Sequence, residues 1–141
     1  MDRDIIITLP KSIKWSEYQK EINKVKDGDH WMLYHIPFKP KYNIKGQKCF
    51  LCYKGYIIGF MMIINVFYSD GFMCDTTGTR WPEGWYVCRT GNFYPLTEMV
   101  PMKGFRGIRY VDNELAKKLE PLICDFSADP IMNYAQYALN K

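Results

Sequence analysis

The chain has 141 residues with a formal net charge of +4, and 48% of them are hydrophobic and 16% aromatic. That length suits one compact domain with its own core and is short for two, and the scattered 8 prolines and 10 glycines exclude a fibrous or disordered chain. The apolar run in MDRDIIITLP is too short for a signal peptide, and the longest apolar stretch, Ile57 to Ile64, falls far below the roughly 20 residues that span a bilayer. Five cysteines leave one over in any internal pairing scheme, which predicts reduced thiols in a cytoplasmic protein.

Ile5 to Leu9 is rich in β-branched residues and stops at Pro10, which predicts a short buried strand. From Trp15 the apolar residues Trp15, Tyr18, Ile22 and Val25 recur at spacings of three and four. This predicts an amphipathic helix capped by Ser12 or Ser16 and closed by Lys26-Asp27-Gly28-Asp29. His30 to Ile36 reads as a strand ended by Pro37, and Lys39 to Gly46 as a polar loop. Cys49 to Tyr53, Lys54-Gly55 and Tyr56 to Phe67 form the pattern of a hairpin feeding a long central strand, with Gly59 marking a bulge or a close backbone approach.

Ser69-Asp70-Gly71 is a turn, Phe72 to Cys74 a short extended piece, and Asp75 to Gly84 a ten-residue polar loop. Trp85 to Arg89 and Phe93 to Leu96 are strand-like, and the glycine-spaced basic segment Lys103 to Val111 leads into a last strand. Helices are expected over Asn113 to Leu119 and Pro130 to Leu139. Five to seven strands with few helices between them predict a mainly β chain, an antiparallel barrel or half-barrel with helices attached. Residues 112–141 are expected to pack on it as a helical extension of a single domain, 1–141.

The charge falls in two positive regions, +5 over residues 1–60 and +3 over 76–111. The first is mostly lysine, with Lys39, Lys41, Lys45, Lys48 and Lys54 spread as on an ordinary solvated face. The second is arginine-rich. Arg80, Arg89, Arg106 and Arg109, with Lys103, interleave with Trp81, Trp85, Phe93, Phe105 and Tyr110. Guanidinium forks suit phosphates and base edges, and indoles stack on bases, so Arg80, Trp81, Trp85, Arg89, Lys103, Arg106 and Arg109 are the candidate ligand-binding residues. The same pattern also fits core aromatics with arginines paired to Glu83, Glu98 or carbonyls.

Cys49 and Cys52 have a zinc-like spacing, but strand alternation sends them to opposite faces, as it does His30 and His35. No metal and no cofactor is expected. Asp75, Thr76 and Thr77 with Glu83, and a cation such as Lys103 or Arg80, are the raw material of a hydrolase; the loop fits an Asx-type turn equally well. Thr76, Glu83 and Lys103 stand as weak catalytic candidates.

The stretch CDTTGTRWPEGWYVCRTGNFYPL followed by PMKGFRGIRYV, after the KDGD turn and the YKGYIIGF hairpin, resembles the PUA-like superfamily and, within it, small bacterial domains of the ASCH and EVE type. The resemblance spans roughly residues 5–111. It implies a compact pseudo-barrel whose cleft receives RNA, a modified base or a nucleoside. Hydrolytic members use a lysine, a threonine and a glutamate, for which Lys14, Thr76 or Thr77, and Glu83 or Glu98 are the available residues, and EVE-type members enclose a base in an aromatic pocket.

The expected function is therefore a nucleic-acid or modified-nucleotide recognition module, with RNA or a nucleotide-like ligand as partner. The chain is expected to act as a monomer or weak dimer, away from membranes. An amide hydrolase of acylated nucleosides and a protein-interaction domain are the alternatives.

Overall fold

A computed structural model of the chain describes residues 2–26, 32–73 and 78–123. The elements are β1 (Ile5–Thr8), α1 (Trp15–Lys26), β2 (Met32–Ile36), β3 (Lys48–Tyr53), β4 (Tyr56–Ser69), β5 (Phe72–Met73), β6 (Arg80–Trp81), β7 (Gly84–Arg89), β8 (Tyr94–Pro101), β9 (Ile108–Tyr110) and α2 (Asn113–Leu119), followed by a 3-10 turn, Glu120–Leu122. Seven strands form one sheet in the order β2-β7-β4-β3-β1-β9, with β8 also on β4, and β5 and β6 form a separate ribbon. All pairings are antiparallel except that of β1 with β3.

The spine is β4, and two extra residues curl it. Leu51 faces Gly59 while Cys52 faces Ile57, so Ile58 bulges; Ile63 faces Arg89 while Asn65 faces Cys88, so Ile64 bulges. Each bulge bends and twists the strand. The Gly59 expectation holds on both counts: a Cβ there would lie 2.4 Å from the Phe93 ring and from the Tyr94 carbonyl oxygen. The hairpin turn at Lys54 and Gly55 has φ of 50° and 86°, the two positive values of a type I′ turn.

Curling gives the sheet an inner and an outer face. Ile5, Ile7, Cys49, Leu51, Met61 and Val87 point into the inner core, which Trp15, Tyr18 and Ile22 of α1 close. Ile6, Phe50, Cys52 and Phe60 point outward, where Leu119 and the rest of α2 cover them. A strand buried on both faces carries a continuous apolar run rather than an alternating one, which is why β1 reads Ile-Ile-Ile. Cys49 and Cys52 lie on opposite faces, as alternation requires.

Helix α1 opens on the Lys14 carbonyl, which accepts from the amides of Glu17 and Tyr18, rather than on a serine side chain. Helix α2 has the expected boundaries and is capped by Asp112, whose carboxylate accepts from the Leu115 amide at 2.8 Å. The predicted helix over Pro130 to Leu139 lies outside the described residues. Two strand expectations fall short. Arg80–Trp81, read as loop, pairs with Phe72–Met73, and β8 runs five residues beyond Leu96. There the polar Thr97 and Glu98 hide an extended segment that leaves the β4 ladder between Pro95 and Val100, with Leu96 bridging to Ile123.

Candidate nucleic-acid interface

The segment Pro37 to Gln47 connects β2, at one end of the sheet, to β3, three strands along, and includes Lys39-Pro40-Lys41-Tyr42-Asn43-Ile44-Lys45. Ile44 is buried and anchors the loop in the inner core. Backbone bonds pin its far end, Gly46 N–H to Ile63 at 2.8 Å and Gln47 N–H to Ile44 at 3.0 Å. The Lys41 amide donates to the Tyr110 hydroxyl of β9 at 2.7 Å, and the Tyr42 ring meets that of Tyr110 edge-on at 4.8 Å. So held, the loop and β7 enclose a groove of about 360 Å³ lined by Lys39, Lys41, Tyr42, Lys45, Val66 and Trp85, with no acidic residue in its wall.

Three cations, two of them from this loop, lie over the rings of Tyr42 and Trp85. Lys39 Nζ is 5.7 Å from the Trp85 ring, Lys41 Nζ is 5.7 Å from the Tyr42 ring, and the Arg3 guanidinium is 5.2 Å from the same tyrosine. Trp85 is half-buried, its edge packed against Tyr68 at 5.8 Å. An indole with one side held by protein and a lysine over its ring can stack on a planar base whose anionic groups the lysine pairs with.

Of the seven candidate ligand-binding residues, Trp85 alone lines this groove, together with lysines that the sequence assigned to a solvated face. Arg89 lies on the same face of β7, two alternations further in, where it is buried within the inner core at 2% exposure. Its Nη1 donates to the Tyr18 hydroxyl at 2.7 Å and reaches Met61 sulfur at 3.8 Å. Trp81 stacks on Phe72 with centroids 5.6 Å apart and planes at 11°, and rests against Tyr86, on the other face of β7 from Trp85. Arg80 is exposed beside it on the ribbon.

Lys103, Arg106 and Arg109 are exposed on the segment that runs from β8 into β9. The Arg109 guanidinium sits 4.5 Å over the Phe105 ring, and Arg109 pairs opposite Ile6, so it takes the outer face of the sheet. The Phe105 amide donates to Thr8 Oγ1 at 3.2 Å, and the Tyr34 hydroxyl donates to the Gly107 carbonyl at 3.3 Å, drawing the two sheet ends, β2 and β9, together. The structure thus places the seven candidate residues in four separate locations.

The hydrolase candidates are also apart. Glu83 accepts a hydrogen bond from the Tyr68 hydroxyl next to Gly84, which pairs with Ser69 at one end of the 14-residue β4. Lys103 follows Pro101, which pairs with Tyr56 at the other end. Lys14 is exposed at the start of α1 and Glu98 on β8. Asp75, Thr76 and Thr77 lie outside the described residues, as does His30.

The sequence reading missed the lysine loop, because lysines spread singly along a chain look like any solvated face. The signal that finds it is the interleaving of lysine with proline and tyrosine around one buried isoleucine, which fixes a loop instead of leaving it free.

No family model matches the chain, and no curated protein matches it. The curled seven-stranded half-barrel, with two helices among the described residues, is similar in fold to solved ASCH structures. Among solved structures, the chain is similar to the ASCH protein of Zymomonas mobilis, with 13% identity and a TM-score of 0.53 over 86% of this chain and 96% of that one. Two single-site variants of that protein align at 12% identity, with TM-scores of 0.53 and 0.54 over 86% of this chain and 96% and 99% of theirs. At this identity the likeness is one of fold. No helix among the described residues is long and apolar enough to cross a membrane.

Proposed function

We propose that the protein recognises an RNA-type nucleic acid or a modified nucleotide, through the groove between the lysine loop and Trp85. One observation carries the reading: three lysines and two aromatic rings converge on a concave wall that contains no acid. In this reading Trp85 stacks on a base, Tyr42 limits the opposite side, and Lys39, Lys41 and Lys45 meet phosphates. Lys103, Arg106 and Arg109 give a second, separate cationic surface on the segment between β8 and β9. The protein acts as a single domain in the cytoplasm, as a monomer or weak dimer. The hydrolase alternative draws no support from the described residues, since Glu83 and Lys103 stand at opposite ends of β4.

The test is the anisotropy of a labelled single-stranded RNA titrated with the wild type and with Trp85→Ala. Loss of one stacked base corresponds to roughly 1 to 3 kcal/mol, so the variant is expected to bind at least several-fold more weakly. Equal affinity of the two proteins would overturn the reading.

A further inference from the structure

Arg89 is a cation buried in the inner core, and no carboxylate among the described residues balances it. Its neighbours are Tyr18, Tyr34, Cys49 and Met61, and none of the described residues bonded to it is a carboxylate. Burial pushes the Tyr18 and Tyr34 hydroxyls and the Cys49 thiol up, so all three are neutral at physiological pH. A guanidinium out of water needs a counter-charge and acceptors for its five N–H groups.

The pattern of unmet bonds says what is missing. Arg89 Nε is buried and has no acceptor. The indole Nε1 of Trp15 is buried and has none either, and its ring stacks on that of Tyr18, whose hydroxyl takes the Arg89 bond. Tyr18 accepts from Arg89 and so keeps its own hydrogen to donate. These are donors without acceptors on α1 and β7, linked through Tyr18, and an acceptor-only group with negative charge is their complement.

We propose that the protein binds a small oxyanion, a phosphate or carboxylate group, inside the barrel at Arg89, held by the guanidinium and the Tyr18 hydroxyl beneath α1. The site is distinct from the lysine groove, since Val87 and the inner core separate Arg89 from Trp85 along β7. Of the groups around Arg89, Tyr34 alone is half-buried, and its hydroxyl closes the seam between β2 and the Gly107 carbonyl. Parting that seam admits the anion.

The test is a titration of the ¹⁵N-labelled protein with inorganic phosphate and, separately, with acetate, against sodium chloride at matched ionic strength. The readouts are the Arg89 Nε–H and Trp15 indole resonances and the melting temperature. The expected result is a saturable shift of both resonances and a rise in melting temperature with phosphate or acetate, both lost in Arg89→Met. The ion that binds more tightly identifies the group. If neither resonance moves with either ion in the wild type, or if Arg89→Met keeps the effect, the proposal is overturned. The wild-type titration decides the matter even if Arg89→Met fails to fold.

Discussion

Cys49 shows how one buried side chain couples the fold to pH. It sits in β3 at 0% exposure, and burial pushes its thiol up to about 11, with the Arg89 guanidinium opposing part of that rise. Below about pH 9 the folded and unfolded chains both hold the proton. Between pH 9 and about 11 the unfolded chain releases it while the folded one does not, so stability falls as pH rises through that window. The loss attributable to Cys49 is on the order of 3 kcal/mol. Denaturant unfolding followed from pH 8 to 11 should show this decline, and Cys49→Ala should flatten it without abolishing it, since the Tyr18 hydroxyl is also raised. An identical decline in Cys49→Ala would contradict the assignment.

At the scale of elements, the groove depends on a loop held at a few points, and the bond from the Lys41 amide to the Tyr110 hydroxyl is the one that ties it to β9. Tyr110→Phe removes that acceptor while keeping the ring against Tyr42. One hydrogen bond is worth about 1 kcal/mol, so RNA affinity should fall roughly fivefold and stability by no more than that amount. Affinity unchanged in Tyr110→Phe would mean that the loop's position does not govern binding. The elements themselves were largely legible in the sequence. The β-branched run of β1, the three-and-four spacing of α1, the Lys54-Gly55 turn and the Asp112 cap are local signals, and local signals survive folding. The ribbon strand at Arg80–Trp81 was not legible, because two residues that pair only with Phe72–Met73 carry no period of their own. The far half of β8 was hidden for a similar reason, since Thr97 and Glu98 are polar in a strand that meets β4 only at its ends.

At the scale of the whole molecule, the half-barrel was readable from the succession of strands, but the site was not. Proximity in sequence grouped Arg80, Trp81, Trp85, Arg89, Arg106 and Arg109. The ribbon then sets Trp81 against Tyr86, on the other face of β7 from Trp85, while Arg89 is buried beneath α1 and Arg109 turns toward the outer face. The lysines meet Trp85 because their loop leaves β2 at Ile36, which pairs directly opposite Trp85 of β7. A signal built on the pairing of strands some fifty residues apart is invisible to any short window along the chain.

The measurement that bears most directly on the groove is the salt dependence of RNA binding, compared between the wild type and the triple variant Lys39→Ala, Lys41→Ala, Lys45→Ala. Each lysine that neutralises a phosphate of a single strand adds about 0.7 to the slope of log affinity against log salt. The triple variant is therefore expected to bind more weakly at low salt, with a slope shallower by about 2. A slope unchanged by the three substitutions would contradict a phosphate path through this loop.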